Sequence, residues 1–219
     1  MIRALITQRE ITDAHGVSCD CLERSYVDYF TGMGISLIPV SNFARPDESV
    51  LTQADLLILT GGGDLPAKGY TDETLSVNAQ TERDETERFL FDYAIKHGVP
   101  VLGICRGMQF INAVLGGKTD KNFVGAEKRK CGTDHIIQSG TDTLTVNHYH
   151  NDFIRIGNLA KELTPLFTDE ENGTVEICAC SEKRILAFQY HPERGFTDRE
   201  SFLKTQNMIR TFIEHKGEL

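Results

Sequence analysis

Short, nearly continuous apolar runs alternate with longer amphipathic stretches in the first half of the chain, and this alternation limits the folds open to it more than any other feature. The runs lie at Ala4–Thr7, Ser36–Val40, Leu56–Leu59 and Val101–Ile104. Runs of this kind are typical of strands that are covered on both faces. Between them, Cys19–Met33 and Glu82–Lys96 are predicted to be helices, and the second is expected to end at Gly98. This order predicts an α/β fold.

The second half of the chain has a different character. A polar stretch rich in glycine and lysine runs from Gly116 to Gly140. The pieces with β-like patterns are His135–Gln138, Thr143–Val146, Val175–Ala179 and Leu186–Gln189. An amphipathic helix is predicted over Arg199–His215. Because neither a repeat nor a linker interrupts the chain, residues 1–219 are predicted to form one domain, a length that allows a substantial core.

The composition argues against several classes of function. A net charge of −9 disfavours broad binding to the phosphate backbone of nucleic acids, which needs a basic surface. The sequence has no apolar run long enough to span a bilayer and no signal peptide, so a soluble cytoplasmic protein without a membrane partner is expected. The six cysteines include two close pairs, Cys19/Cys21 and Cys178/Cys180, whose spacing is unlike that of zinc ligands. Reduced thiols, with no metal or other cofactor, are therefore predicted.

One cysteine stands at a junction between a predicted strand and a predicted helix. Gly103–Gly107 (GICRG) has the pattern G-x-C-x-G, and the serine version of this pattern is the nucleophile elbow, a sharp turn that presents a nucleophile above a sheet edge. The glycines permit a tight turn and a close approach of strand and helix. The helix N-terminus favours the reactive thiolate of Cys105. A buried structural cysteine is the competing interpretation, and the turn alone does not decide between them.

Two further segments supply what a cysteine nucleophile needs. One offers a base and an orienting group, and the other could supply one oxyanion donor, with the amide of Arg106 as the second. His191 follows an apolar strand, Pro192 restricts the turn, and Glu193 stands two residues after the histidine. Thr60–Asp64 (TGGGD) also follows an apolar strand, and its glycines let backbone amides approach a ligand closely. Ligands of α/β sheets collect beyond the carboxyl ends of strands, so we expect these segments to meet Cys105 there. A solvated loop histidine and an ordinary glycine turn are the competing interpretations.

Together these segments resemble class I glutamine amidotransferases. Gly103–Gln109 (GICRGMQ) matches the nucleophile motif of that superfamily, and Tyr190–Glu193 (YHPE) matches its His-Pro-Glu motif. Within the superfamily, the chain is most similar to the stand-alone γ-glutamyl-γ-aminobutyrate hydrolase-like branch, and Arg106 after the cysteine is one reason. Further matches lie at Leu59–Asp64, at Arg83, Asp84 and Glu87, at Phe110–Gly117 and at Gly173–Glu176. The resemblance therefore covers most of the chain.

The resemblance implies a flavodoxin-like three-layer sandwich with a mostly parallel central sheet. It implies that Cys105 is the nucleophile, His191 the general base and acid, and Glu193 the acid that orients the histidine. The substrate-binding residues that it implies are Gly62, Gly63, Arg106 (through its amide), Gln109, Asn147, His148, Tyr149 and His150. The expected activity is hydrolysis of a small γ-glutamyl conjugate to glutamate and an amine, through a γ-glutamyl thioester on the cysteine.

The chain departs from this branch in two places. The loop that reads close to V-N-S-x-H-H-Q in the branch is V-N-H-Y-H-N-D here, ending at Asp152. A basic segment follows Gly117 and carries Lys118, Lys121, Lys128, Arg129 and Lys130. One hypothesis is that this segment recognises an anionic leaving group, a phosphorylated or nucleotide-linked amine such as that of a γ-glutamyl-CDP-amidate. The competing interpretation is a solvated charged loop.

Two other functions fit the same motifs. One is a glutaminase subunit that delivers ammonia to a separate synthetase, and the other is a non-catalytic binding or redox-sensing protein on the same fold. Arg106 and the glycine loop favour an independent hydrolase over the first. The intact cysteine, histidine and glutamate argue against the second. The sequence leaves the leaving amine open, and it leaves a homodimer open as the oligomeric state.

Overall fold

A nine-stranded sheet and its flanking helices make up most of the computed structural model, in which residues 2–43, 45–121 and 130–217 are described. The strands are β1 (Ile2–Thr7), β2 (Arg9–Thr12), β3 (Ser18–Cys21), β4 (Ile35–Val40), β5 (Leu56–Leu59), β6 (Val101–Ile104), β7 (Thr133–Ser139), β8 (Asp142–His148), β9 (Thr164–Asp169), β10 (Thr174–Cys180) and β11 (Ile185–Phe188). The helices are α1 (Arg24–Gly32), α2 (Glu48–Leu51), α3 (Thr81–His97), α4 (Arg106–Val114) and α5 (Arg199–Glu214). No helix among the described residues is long and apolar enough to cross a bilayer.

Five neighbouring strands of the sheet are parallel and lie in the order β4-β1-β5-β6-β11. If only these parallel strands are numbered, their order is the 2-1-3-4-5 order of flavodoxin-like doubly wound sheets. The sheet continues antiparallel from β11 through β10, β9, β7 and β8. The predicted α/β fold is confirmed. Of the β-like pieces in the second half of the sequence, Leu186–Gln189 corresponds to the parallel strand β11, and the other three lie in the antiparallel extension.

Helices cover both faces of the parallel strands, which explains the continuous apolar character of those strands. On one face Ile6 belongs to a hydrophobic cluster with Phe30 of α1 and Phe212 of α5. On the other face Leu57 belongs to a second cluster with Leu90 of α3. Successive residues of a strand point to opposite faces, so each strand buries both sets of side chains. The result is the expected arrangement of three layers.

Several elements differ from the sequence prediction. Cys19 and Cys21 lie in β3 instead of a helix, and α1 begins only at Arg24. The Asp13 carboxylate and Gly16, which has a φ of 81°, close a tight turn that lets β3 pair with β2 as a hairpin. β9 was not predicted either, because its sequence TPLFTD has no clear apolar alternation.

The carboxyl ends of β5, β6 and β11 meet at one edge of the sheet, because these strands are parallel neighbours. The segments that follow them are the glycine loop Thr60–Asp64, the turn at Cys105, and residues 189–193. The three segments that the sequence singled out therefore come together at the edge where ligands of doubly wound sheets bind.

Candidate active site

Cys105 occupies a strained turn between β6 and α4. Its backbone has a φ of 54° and a ψ of −107°, and residues other than glycine rarely adopt a positive φ. The Cys105 amide donates a hydrogen bond to the carbonyl of Phe188 at 2.7 Å. Close packing also fixes the turn, since a Cβ on Gly107 would lie 2.2 Å from the carbonyl oxygen of Leu59. The cysteine is thus held at the start of α4, at the wall of a cavity.

His191 and Glu193 follow β11 and lie beside this turn. The His191 Nδ1 atom lies 2.6 Å from Glu193 Oε1, and both side chains are buried. The glycine loop packs against the ring from another side. A Cβ on Gly61 would lie 2.8 Å from His191 Cε1 and 3.4 Å from the Cβ of Cys105. The structure therefore brings the predicted nucleophile, base and orienting acid together.

The protonation state of His191 is biased toward the imidazolium. Burial opposes this charge, but Cys105 and then Glu193 outweigh burial and raise the pKa of His191 to about 10. An imidazolium next to a cysteine stabilises the thiolate, which is the nucleophilic form. At neutral pH His191 is therefore an imidazolium beside the sulfur of Cys105.

Asn147, in β8, fixes the backbone around His191. Its Nδ2 atom donates to the carbonyls of His191 and Gly195 at 2.7 and 2.9 Å, and its Oδ1 atom accepts from the His191 amide at 3.0 Å. Asn147 was predicted to bind substrate, but it does not border the cavity because its side chain is engaged by this backbone. Its position suits it to orient the histidine instead.

His148 also lies away from the cavity. It packs between His135 and His150, with ring centroids 5.6 and 4.3 Å away, and only 2% of it is exposed. This burial does not fit the predicted contact of His148 with substrate. His150 does border the cavity. Burial lowers the pKa of His150 although Glu176 opposes the shift, and its Nδ1–H donates to the carbonyl of Asp152 at 2.9 Å.

The cavity in front of the cysteine has a volume of about 510 Å³. Six of the predicted substrate-binding residues border it, namely Gly62, Gly63, Arg106, Gln109, Tyr149 and His150. Gln109 Nε2 lies within hydrogen-bond distance of the Asp152 carbonyl, at 3.2 Å, and of Gln189 Oε1, at 3.3 Å. The Tyr149 ring meets the His191 ring edge to face, with centroids 5.9 Å apart. Amide, hydroxyl and imidazole groups therefore surround the space above the sulfur.

The guanidinium of Arg106 is directed into a buried network of charges. It forms ion pairs with Asp84 and, at 2.6 Å, with Glu87. Burial alone would raise the pKa of Glu87, but Arg83 and Arg106 lower it, whereas burial raises the pKa of Asp84 to about 6. The part of Arg106 left to face a ligand is its backbone, whose amide lies in the first turn of α4 and has no partner within the helix. The sequence marked these acids only as a family motif, without a role.

Cationic side chains stand at the mouth of the cavity. Arg9, in the β2–β3 hairpin, and Arg194, just after Glu193, each pair with Glu23 at 2.9 Å. Lys121 pairs with Asp64, and burial of that carboxyl is outweighed by Lys121, so the pKa of Asp64 is lowered. Sequence reasoning missed both arginines, because neither belongs to a recognised motif and the hairpin was not predicted.

The basic segment predicted to contact the leaving group reaches the cavity through Lys121. Lys118 donates to a backbone carbonyl at 2.6 Å, and Lys130 is exposed. Lys128 and Arg129 lie outside the described residues. Within the described part of the chain, no group of three or more histidine, cysteine, aspartate or glutamate side chains could hold a metal ion.

Comparisons with known proteins agree with this architecture. Residues 2–193 match the family model described as Peptidase C26. YvdE of Lactococcus lactis, whose name describes it as glutamine amidotransferase-like, is 28% identical over 191 residues, which cover 78% of this chain and 79% of that protein. NtpR of Enterococcus hirae is 29% identical over 185 residues, which cover 72% of this chain and 74% of that protein. The crystal structure of a glutamine amidotransferase from Thermotoga maritima matches this chain with a TM-score of 0.67 and 18% sequence identity. The match covers 100% of this chain and 99% of that one, which shows a shared fold.

Proposed function

The chain belongs to the peptidase C26 family, and on that premise we propose that it is a cysteine-dependent hydrolase of γ-glutamyl amides. Its substrate is a small γ-glutamyl conjugate, which it divides into glutamate and an amine. The observation that carries the proposal is the geometry of Cys105, His191 and Glu193, with the cysteine on a strained turn and the carboxylate 2.6 Å from the histidine. Similarity to glutamine amidotransferase-like proteins supports hydrolysis of an amide by this site.

In the first half-reaction the Cys105 thiolate attacks the γ-carbonyl carbon, and a carbon–sulfur bond forms. The carbonyl oxygen becomes negative and is stabilised by amides of the glycine loop and of Arg106. His191 is protonated at neutral pH because its pKa is raised to about 10, and it donates its Nε2 proton to the amine nitrogen. The carbon–nitrogen bond then breaks, the amine leaves, and a γ-glutamyl thioester remains on the cysteine.

In the second half-reaction a water molecule takes the place of the amine. His191 is now neutral and accepts a proton from this water as the water oxygen attacks the thioester carbon. The carbon–sulfur bond breaks, glutamate leaves, and the thiolate–imidazolium pair is restored. Glu193 holds Nδ1 of the ring throughout, so that Nε2 always faces the reacting atoms.

Two sets of side chains around the cavity suit the two ends of the substrate, the glutamyl group and the leaving amine. Gln109, which contacts Gln189, and Tyr149, which meets the His191 ring, border the cavity together with His150 and suit the polar glutamyl group. Arg9 and Arg194 share the carboxylate of Glu23. Glu193, 3.9 Å from Arg194 Nε, is already shared with His191, so the two guanidiniums carry one positive charge in excess of Glu23. We propose that this excess, together with Lys121, binds a phosphate or nucleotide on the leaving amine.

A panel of γ-glutamyl conjugates with neutral, cationic, phosphorylated and nucleotide-linked amines tests the proposal. We expect the purified chain to release glutamate, to prefer a phosphorylated or nucleotide-linked amine, and to show a γ-glutamyl adduct on Cys105 by mass spectrometry. The Cys105→Ala variant should be inactive. An alanine variant with full activity would refute the mechanism.

The same panel separates the proposal from a glutaminase subunit. Weak hydrolysis of glutamine that increases when a synthetase chain is added would support the subunit instead. Binding of γ-glutamyl compounds without turnover would support a non-catalytic protein.

A further inference from the structure

Helix α3 begins with charged side chains that the reaction above does not use. Arg83 and Glu87 are completely buried, and Arg106 is 1% exposed. Asp84 is largely buried beside them. Placing several ionised groups in a protein interior is costly unless each is paired and hydrogen-bonded, and such pairs are weak evidence for stability. A cluster of this kind next to a reactive cysteine therefore asks for a functional explanation.

Arg83 binds the backbone of the glycine loop. Its guanidinium donates to three consecutive carbonyls, those of Thr60 at 2.7 Å, Gly61 at 3.2 Å and Gly62 at 2.7 Å. The described chain has no cis peptide bonds, and in a trans peptide the N–H points opposite to the C=O. The amides of Gly62 and Gly63 therefore point away from Arg83, on the side of the cavity that both residues border.

The Gly61 amide supports this geometry. It shares a peptide with the carbonyl of Thr60, which Arg83 binds, so it too should point away from the guanidinium. It donates to the hydroxyl of Tyr26 at 3.0 Å, and Tyr26 lies in α1, on the opposite face of the sheet from α3. One arginine thus sets the direction of the loop amides by holding their carbonyls.

Glu87 connects this loop to the cysteine turn. Its Oε1 atom accepts from Arg83 at 2.8 Å, and its Oε2 atom accepts from Arg106 at 2.6 Å. Arg106 also pairs with Asp84, and its Nε donates to the carbonyl of Asp64 at 3.2 Å, at the far end of the loop. The backbone amide of Arg106 directly follows Cys105 and is the second proposed oxyanion donor. The two sources of oxyanion donors are therefore joined both through the Glu87 carboxylate and through the contact of Arg106 with the loop carbonyl.

We propose that Arg83, Asp84, Glu87 and Arg106 form a positioning network that holds the two parts of the oxyanion site in register before a substrate arrives. The side chains of the network act on the backbone amides and do not themselves touch the reacting atoms. It leaves the thiol and the histidine unchanged and affects only the stabilisation of the oxyanion. The inference rests on the proposed function in assuming acyl transfer at Cys105, but it does not depend on which acyl group is transferred.

The test compares two reactions of the same sulfur. Acylation by 4-nitrophenyl acetate forms a thioester through a tetrahedral oxyanion and releases 4-nitrophenolate, so it needs the oxyanion site. Alkylation by iodoacetamide is a displacement of iodide at a CH2 group and forms no oxyanion. The variant is Asp84→Asn, which keeps the shape of the side chain and removes one of the two carboxylates that hold Arg106. The matched control is Asp92→Asn, on the same helix, where the carboxylate pairs with Arg88 at the surface.

Loss of a whole oxyanion donor slows acyl transfer by about 10²–10³-fold. Displacement of a donor should slow it less, so we expect D84N to slow the acylation burst by about tenfold. Its alkylation rate per titrated thiol should stay within about twofold of the wild type, because the thiolate–imidazolium pair is intact. D92N should change neither rate. With a γ-glutamyl substrate, D84N should lower kcat and leave KM nearly unchanged.

Equal losses of acylation and alkylation in D84N would overturn the proposal, and so would an unchanged acylation burst. If D84N does not fold, the acylation and alkylation rates of Arg106→Lys are measured instead. Lysine cannot reach both carboxylates and the Asp64 carbonyl together, so the same selective loss of acylation is expected. A wild type that shows the burst but hydrolyses no γ-glutamyl amide would refute the proposed function alone. A wild type without a Cys105-dependent burst would overturn the positioning network.

Discussion

Replacing Cys105 with alanine should lower the pKa of His191 by a large amount, and this change tests the electrostatics of the site without any substrate. The thiolate is the first of the two partners that raise the pKa of the ring to about 10, and Glu193 is the second. Alanine removes the first and leaves the hydrogen bond to Glu193 in place. The imidazolium should then persist only at acidic to neutral pH.

The size of the effect follows from these competing influences. A pKa of about 10 in place of 6.5 corresponds to about 5 kcal/mol in favour of the imidazolium. Burial is the largest single influence on the ring and opposes the charge. A hydrogen bond to a charged partner contributes about 1.5–3 kcal/mol, which is too little for Glu193 to outweigh burial by a wide margin. In C105A we therefore expect a pKa of His191 close to 6.5 or below it, a decrease of at least about three pH units.

The assay is an NMR titration of the ring Cε1–H signals in protein labelled with ¹³C-histidine, over pH 5 to about 11. His150 serves as an internal control, because burial lowers its pKa and it should be neutral above pH 6.5 in both proteins. Glu193→Gln should lower the pKa of His191 less than C105A does. A wild-type His191 that titrates near 6.5, or a C105A variant that keeps a value near 10, would refute the thiolate–imidazolium pair.

Three further predictions concern the turn, the histidine and the mouth of the cavity. Gly107→Ala should lower the free energy of unfolding by more than about 3 kcal/mol, because its Cβ would lie 2.2 Å from a backbone carbonyl oxygen. Gly157→Ala, which meets nothing within 4 Å, is the control for the Tm measurement. Asn147→Ala should lower kcat by about tenfold or more with a smaller change in KM, because the backbone of the catalytic histidine loses its clamp; an unchanged kcat would contradict this role. Arg9→Gln and Arg194→Gln should each raise KM by about tenfold for a phosphorylated γ-glutamyl amide and leave a γ-glutamyl methylamide unaffected, and equal effects on the two substrates would contradict an anionic leaving group.

The parallel half of the fold could be predicted from the sequence because burial on both faces leaves a local signature. Leu56–Leu59 and Val101–Ile104 are apolar at nearly every position, and the structure has both as strands with the same bounds. The hairpin around Cys19 has no such signature. Its strands are only partly buried, so their composition is that of a surface segment. The turn residues Asp13 and Gly16 were the available signal.

The candidate site was predictable to the extent that its residues follow strands. Cys105, His191 and Glu193 come directly after β6 and β11, and parallel neighbours must place such residues at one edge. Residues whose role depends on a distant partner could not be assigned in this way. Asn147 holds a backbone 44 positions away, and Glu87 joins two segments that are separated along the chain. Their contacts exist only after the sheet has formed, so no spacing in the sequence expresses them.

The structure separates the groups proposed to perform the reaction from those proposed to select the leaving amine. The nucleophile turn and the glycine loop are fixed by hydrogen bonds to the backbone, through Phe188 for the turn and Arg83 for the loop. Arg9 belongs to a two-stranded hairpin outside the main sheet, and its side chain packs against Gly62. The backbone of Glu10 in the same hairpin exchanges hydrogen bonds with Gln80, which also accepts from Arg83. A substitution confined to the Arg9 side chain can therefore alter the charge at the cavity while these backbone hydrogen bonds, and with them the oxyanion donors, stay in place. If this separation holds, substitutions at Arg9 change the preference among amines while the rate of Cys105 acylation by a small ester stays the same.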